Sequence, residues 1–211
     1  MGEQIDLIVG LGNPGPQHQR TRHNAGFWFA DILAGAHGGT FKAENRFHGK
    51  TVEVRLETHR IRLLKPQTFM NDSGRAVVAM AAYYKIPVEN VLIVHDELDL
   101  EPGRAQLKFG GGHGGHNGMR DIVQCVGQEF WRLRLGIGHP GKERRDEVVD
   151  YVLRAASSAE EDEILDAINA AIAVLPILLE QGAERAKTQL HSRGAEARAD
   201  KKDDDADSSK D

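Results

Sequence analysis

Two short apolar runs constrain this chain most. Ile5-Asp-Leu-Ile-Val9 and Val91-Leu-Ile-Val94 are rich in branched residues and read as buried strands. Each stops abruptly, the first at Gly10-Leu-Gly-Asn-Pro-Gly15 and the second at His95-Asp-Glu97. Helical patterns lie between and after them, over 24–33, 73–84 and 159–181, with Asn117 as the cap of another over 119–126. Strand-like alternation covers 51–56, its hairpin partner 61–64, then 104–109 and 132–137. This order predicts the α/β class: a single globular domain over 1–193 with a twisted mixed β-sheet flanked by helices. Pro176 predicts a kink in the last helix. Residues 194–211 hold no apolar residue larger than Ala and predict an acidic, disordered tail.

Composition removes several classes. One cysteine, Cys125, permits no internal disulfide and no thiolate zinc cluster. No apolar run reaches the ~20 residues a bilayer requires, and the first residues have neither the basic lead nor the apolar core of a secretion signal. A cytoplasmic protein is expected. The net charge of −5 excludes a uniformly basic nucleic-acid binder, yet between Arg104 and Arg145 eight basic residues face three acidic ones. A locally basic surface is therefore expected.

Gly10-x-Gly-x-x-Gly15 matches the dinucleotide fingerprint in letters alone. Pro14 precedes its last glycine, the helix waits until about Asn24, and no acidic residue ends a second strand some 20 residues on. His113-x-x-His116 invites a metal, but four glycines surround it and no carboxylate or thiol is close in sequence. A flexible lid is the expectation there. Ser73 is read as a helix cap rather than a nucleophile.

His23 precedes a helix, Asp96 ends a buried strand, and Asn13, Asn71 and Asn117 stand in loops near strand ends. Sites of open α/β sheets form at the carboxyl ends of strands. A His with an Asp supplies a general base and its orienting partner. Asn amides hold a water or donate to a developing oxyanion. With no Gly-x-Ser-x-Gly elbow and Cys125 inside a predicted helix, the set points to hydrolysis by activated water.

The strings Gly10-Leu-Gly-Asn-Pro-Gly15, Thr21-Arg-His-Asn-Ala-Gly26, Thr68-Phe-Met-Asn71, His95-Asp-Glu-Leu-Asp99, the glycine-rich run 110–118 and Arg134-Leu-Gly-Ile-Gly-His-Pro140 resemble, in order, those of bacterial peptidyl-tRNA hydrolases. The resemblance runs from about Ile5 to His191. It implies a monomer without metal or cofactor that cleaves the ester between peptide and tRNA, returning tRNA from stalled translation. It implies His23 as general base and Asp96 as the residue that orients it. Asn13 is matched to the choice of blocked over free aminoacyl-tRNA. Asn71 and Asn117 position water and the peptide or 3′ end, Phe69 and Met70 line the pocket, and Lys108 and Arg134 meet tRNA phosphates. His18 stands where the family usually has Tyr, near the tRNA end. A non-catalytic RNA-binding protein on the same scaffold, a nicotinamide oxidoreductase and a small-ester hydrolase are the alternatives. The intact His23, Asp96 and three Asn disfavour the first, and the basic segment disfavours the last.

Overall fold

A computed structural model describes residues 2–141 and 147–192. The expected tail at 194–211 and the basic residues Lys142, Arg144 and Arg145 lie outside them. Seven strands form one sheet in the order β2-β3-β4-β1-β5-β7-β6. They are β1 (Leu7–Gly10), β2 (Lys42–Glu44), β3 (Gly49–Leu56), β4 (His59–Pro66), β5 (Val91–Glu97), β6 (Ala105–Phe109) and β7 (Trp131–Gly136). The central four, β4, β1, β5 and β7, are parallel, while β2, β3 and β6 join antiparallel. The mixed sheet of the sequence reading is thus present. The three-residue β2 went unpredicted because Lys-Ala-Glu carries no apolar signal.

Alternation along the strands builds two cores. Ile8, Leu63, Leu92, Val94, Leu133 and Leu135 face α1 (Ala25–Ala36) and α5 (Ser158–Gln181). Leu7, Val9, Leu64, Val91 and Ile93 face α2 (Ser73–Tyr84) and α3 (Asn117–Val126). Burial on both faces is what made β1 and β5 legible as continuous apolar runs. A short helix, α4 (Val148–Leu153), precedes α5, and residues 183–192 are helical after it. Helix α5 opens on a capping box between Ser157 and Glu160 and runs without interruption through Pro176. Its buried Val174, Leu175, Leu178 and Leu179 hold both sides of that proline in place.

Glycines bring α1 unusually close to the sheet. A Cβ on Gly26 would lie 2.4 Å from both Leu11 N and Val94 O, and one on Gly10 would lie 2.2 Å from Gly26 O. The approach lets the Phe27 N–H, otherwise unpaired at a helix start, donate to Leu11 O at 3.1 Å. The neighbours here are backbone and cannot rotate away. Gly26→Ala should therefore destabilise the fold by about 1–3 kcal/mol or more. An unchanged urea midpoint in that variant would contradict the crossing described.

Candidate active site

Asp96 sits at the carboxyl end of β5 with its side chain buried, where strand β1 also ends. The chain leaving β1 makes a loop and a short turn over Arg22–Asn24 before entering α1, which returns His23 to the same sheet edge. His23 Nδ1 lies 2.9 Å from Asp96 Oδ1 and 3.1 Å from Oδ2. A third group joins from the glycine-rich run: His116 Nε2 lies 3.0 Å from the same Oδ1. Burial opposes ionisation of Asp96, but the two imidazoles outweigh it and hold the carboxyl below the usual carboxylate range. An ionised carboxylate only accepts, so both histidines donate to it. Burial likewise disfavours a charged His23, and the Asp96 carboxylate outweighs this and raises its pKa. His23 therefore carries its proton on Nδ1 and keeps a lone pair on Nε2.

A cavity of about 100 Å³ borders His23, Asp96, His116 and Asn117, with Val148, Val149 and Val152 of α4 as its apolar wall. His23, Asp96 and one amide thus share a small space, with room for more than one water, beside an apolar surface. A larger cavity, about 560 Å³, lies among Lys42, Thr51, Arg62 and Tyr84. There Arg62 pairs with Glu53 at 3.4 Å and stacks on Tyr84.

Asn13 lines a neighbouring cavity of about 310 Å³ with Asn24, Trp28 and Lys65. It is fixed on both sides. Asn24 Oδ1 accepts from Asn13 N–H at 2.8 Å, Asn24 Nδ2 donates to Asn13 O at 3.0 Å, and Asn13 Oδ1 accepts from Met70 N–H at 2.9 Å. Met70 is buried and packs where a Cβ on Gly118 would stand, 2.5 Å from its sulfur. Asn71 and Asn117, the residues beside Met70 and Gly118, are exposed, and so is Phe69. One chain of contacts therefore ties the loop after β1, the Phe69–Asn71 turn and the start of α3 together. His18 ends a short turn, half-buried, its carbonyl accepting from Thr21 Oγ1 at 2.9 Å.

The basic residues lie on the β7–β6 side. Lys108 is exposed on the edge strand, opposite Arg132 in the β6–β7 register. Arg134 donates to Glu97 Oε2 at 2.7 Å and to Gln106. Arg132 is buried, and its guanidinium donates to the carbonyls of Gly111 and Gly112. It thus clamps the start of the glycine-rich run. Arg22 fixes the other side of the site. Its guanidinium donates to the carbonyls of Tyr151, Arg154 and Ala155 and to Glu160 Oε2 at 2.7 Å, stacked 4.2 Å from the Tyr151 ring centroid.

Three expectations need correction. The cap of α3 is His116, whose Nδ1 accepts from Met119 N–H at 3.2 Å, so Asn117 is the first helical residue and not the cap. Ser73 does not cap α2. Its hydroxyl donates to Met70 O at 2.8 Å. The carboxylate missing beside His113-x-x-His116 arrives through the fold as Asp96. It meets His116 and His23, while His113 accepts from Gly115 N–H instead. That trio could surround a cation only if His116 Nε2 lost its proton. The proton would then move to Nδ1, which already faces the Met119 N–H donor. The tautomer therefore opposes a metal.

Sequence reasoning missed His116, Asn24 and Arg132 as members of this site. Asn24 stood inside a quoted motif beside His23. His116 stood beside Asn117 in a run whose glycines suggested only mobility.

Comparison with known proteins identifies the family. The family model described as peptidyl-tRNA hydrolase matches residues 7–199. A peptidyl-tRNA hydrolase of Erwinia tasmaniensis is 50% identical over 191 residues, covering 90% of this chain and 97% of its own. That of Cupriavidus pinatubonensis is 51% identical over 195 residues, covering 89% and 98%. The crystal structure of the Acinetobacter baumannii peptidyl-tRNA hydrolase superposes with a TM-score of 0.85 at 47% identity, covering 90% of this chain and 96% of that one. A match of this extent in sequence and in structure leaves one assignment: the chain belongs to the peptidyl-tRNA hydrolase family.

Proposed function

We infer that this chain hydrolyses the ester joining a peptide, or a blocked amino acid, to the 3′ end of tRNA. Water is the nucleophile and His23 its general base. The observation that carries the mechanism is the bond from His23 Nδ1 to the buried Asp96 carboxylate. It leaves Nε2 unprotonated at the cavity, ready to take a proton from water, and places a fixed negative charge beside the imidazolium that forms. The same proton then passes to the leaving ribose oxygen, which restores the neutral base. The reaction so written uses no metal or cofactor.

Asn117 borders the cavity, and Asn71 stands on the neighbouring turn. In this reading their amides hold water or the peptide carbonyl as its oxygen gains charge. Asn13, held rigid by Asn24 and Met70, acts in this reading as the polar stop that distinguishes blocked from free aminoacyl groups. Phe69 supplies exposed apolar surface with the buried Met70 holding the turn beneath it, and His18 takes the place of a Tyr beside the tRNA end. Lys108 is free to meet phosphate, whereas Arg134 does so only by exchanging Glu97 for it. Among the described residues no helix is long and apolar enough to cross a membrane. The reading extends to a monomer acting in the cytoplasm, with peptidyl-tRNA as its nucleic-acid partner.

The test is direct. Purified protein incubated with N-acetyl-aminoacyl-tRNA and with free aminoacyl-tRNA should cleave the blocked substrate and spare the free one. A folded protein that binds tRNA yet releases nothing would turn the assignment to the RNA-binding alternative. Lys108→Ala should raise KM, keep kcat, and reduce the slope of log binding against log salt by about 1. An unaltered slope would remove Lys108 from the tRNA surface.

A further inference from the structure

His116 does two things at once. Its Nδ1 accepts the Met119 N–H that α3 leaves unpaired, and its Nε2 reaches Asp96 Oδ1, the oxygen that also accepts from His23. A ring nitrogen that accepts a backbone N–H has no proton of its own, so the proton of a neutral His116 must sit on Nε2. We propose that His116 is a positioning residue for the hydrolysis, locked by its capping bond as an Nε2–H donor, and that it sets the basicity of His23 through their shared Asp96 oxygen. The proposal rests on His23 being the general base.

The physical argument concerns how one carboxylate divides its charge. Each N–H donor draws on the same oxygen, so what His116 takes is withdrawn from His23. With His116 in place, Asp96 orients His23 without binding its second proton too tightly. Remove that donor and the carboxylate turns wholly to His23, which then holds a proton to higher pH.

The surroundings agree. From β5, His95 meets the His116 ring edge-on with centroids 5.1 Å apart. Its Nδ1 donates to Asp96 O at 2.7 Å, and its Nε2 is buried with no hydrogen-bond partner among the described residues. Burial, reinforced by His116, pushes the His95 pKa down to about 3, which leaves it neutral. From the turn before α1, His23 lies 4.8 Å away, centroid to centroid. Glu97 and His113 border the same cavity, but Glu97 is paired with Arg134 and His113 with Gly115 N–H. The valines of α4 close the remaining side. Asp96 is thus the one anion in direct contact with the His116 ring among the described residues.

Two substitutions separate the two roles. Asn is a strong N-cap but is too short to reach Asp96, so His116→Asn keeps the cap and loses the donor. Gln places an amide nitrogen near the former Nε2 position, so His116→Gln keeps a donor and loses the cap. For His116→Asn the expected result is a near-wild-type Tm, kcat lower by about tenfold with KM unchanged, and the acid limb of kcat/KM moved up by about one pH unit. For His116→Gln the expected result is a lower Tm with most of the lost rate and the wild-type limb recovered. An unmoved limb in His116→Asn overturns the proposal. So does a loss of rate that follows Tm in both variants, which would mean capping alone. Should either variant fail to fold, 15N imidazole spectra of the wild-type protein decide: His116 must show the Nε2–H tautomer throughout the His23 titration, and the opposite tautomer overturns the proposal. Active His23→Ala would instead overturn the general-base reading, so the two failures are distinct.

Discussion

Replacing His23 by alanine lowers kcat on N-acetyl-aminoacyl-tRNA by about 10²–10⁴-fold and leaves KM near its wild-type value. The split follows from the geometry. His23 is buried, its Nδ1 is taken up by Asp96, and it borders the cavity, so the proposed role leaves it the water rather than the bulk of the substrate to contact. The β6–β7 pairing and the Arg134–Glu97 bond, neither of which involves His23, hold Lys108 and Arg134 in position when the imidazole is removed. A loss expressed only in kcat marks an interaction made in the transition state. Single-turnover rates with saturating enzyme check this, since they exclude product release. A His23→Ala protein with near-wild-type turnover, or one whose loss lies wholly in KM, would remove the assigned role.

Asp96→Asn should be nearly as severe, about 10²–10⁴-fold in kcat, but its pH profile should move in a particular direction. In the wild type, burial lowers and the carboxylate raises the pKa of His23, and the carboxylate prevails. Removing the charge leaves burial unopposed. The acid limb of kcat/KM should then fall below the ordinary histidine value near 6.5, so the variant keeps its residual rate at lower pH than the wild type. This is the reverse of the shift expected for His116→Asn. Asn also provides one acceptor oxygen where two N–H groups converge, so either His23 or His116 must give up its bond or share it. A profile that moves upward would mean that the Asp96 charge does not govern His23.

The sequence exposed what depends on local pattern. The runs ending at Val9 and Val94 are strands because both their faces are buried, and apolar continuity reports that state directly. His23 and Asp96 were legible because each follows or ends such an element. His116 was not, because its partner lies 20 residues earlier and is reached only when the glycine-rich run folds back over β5. Spacing along the chain cannot express that return. Arg132 was read as one more strand residue, although its guanidinium holds the carbonyls that define the return. Helix α4 was passed over because six residues, Val-Val-Asp-Tyr-Val-Leu, are too few to show a helical period. Of the predicted basic surface, Arg134 turns out to be committed to Glu97, a pairing that only the register of β5 with β7 creates.

The Arg22 contacts make the base and the apolar wall one mechanical unit. Arg22 is the residue before His23, and its guanidinium holds the end of α4 and the first turn of α5 by four acceptors. Lifting α4 away from the cavity would strip those acceptors from a buried cation at once. A helix so tethered shifts together with the turn that bears His23. A peptide pressing on α4 would therefore load the turn that bears His23 through the Arg22 guanidinium.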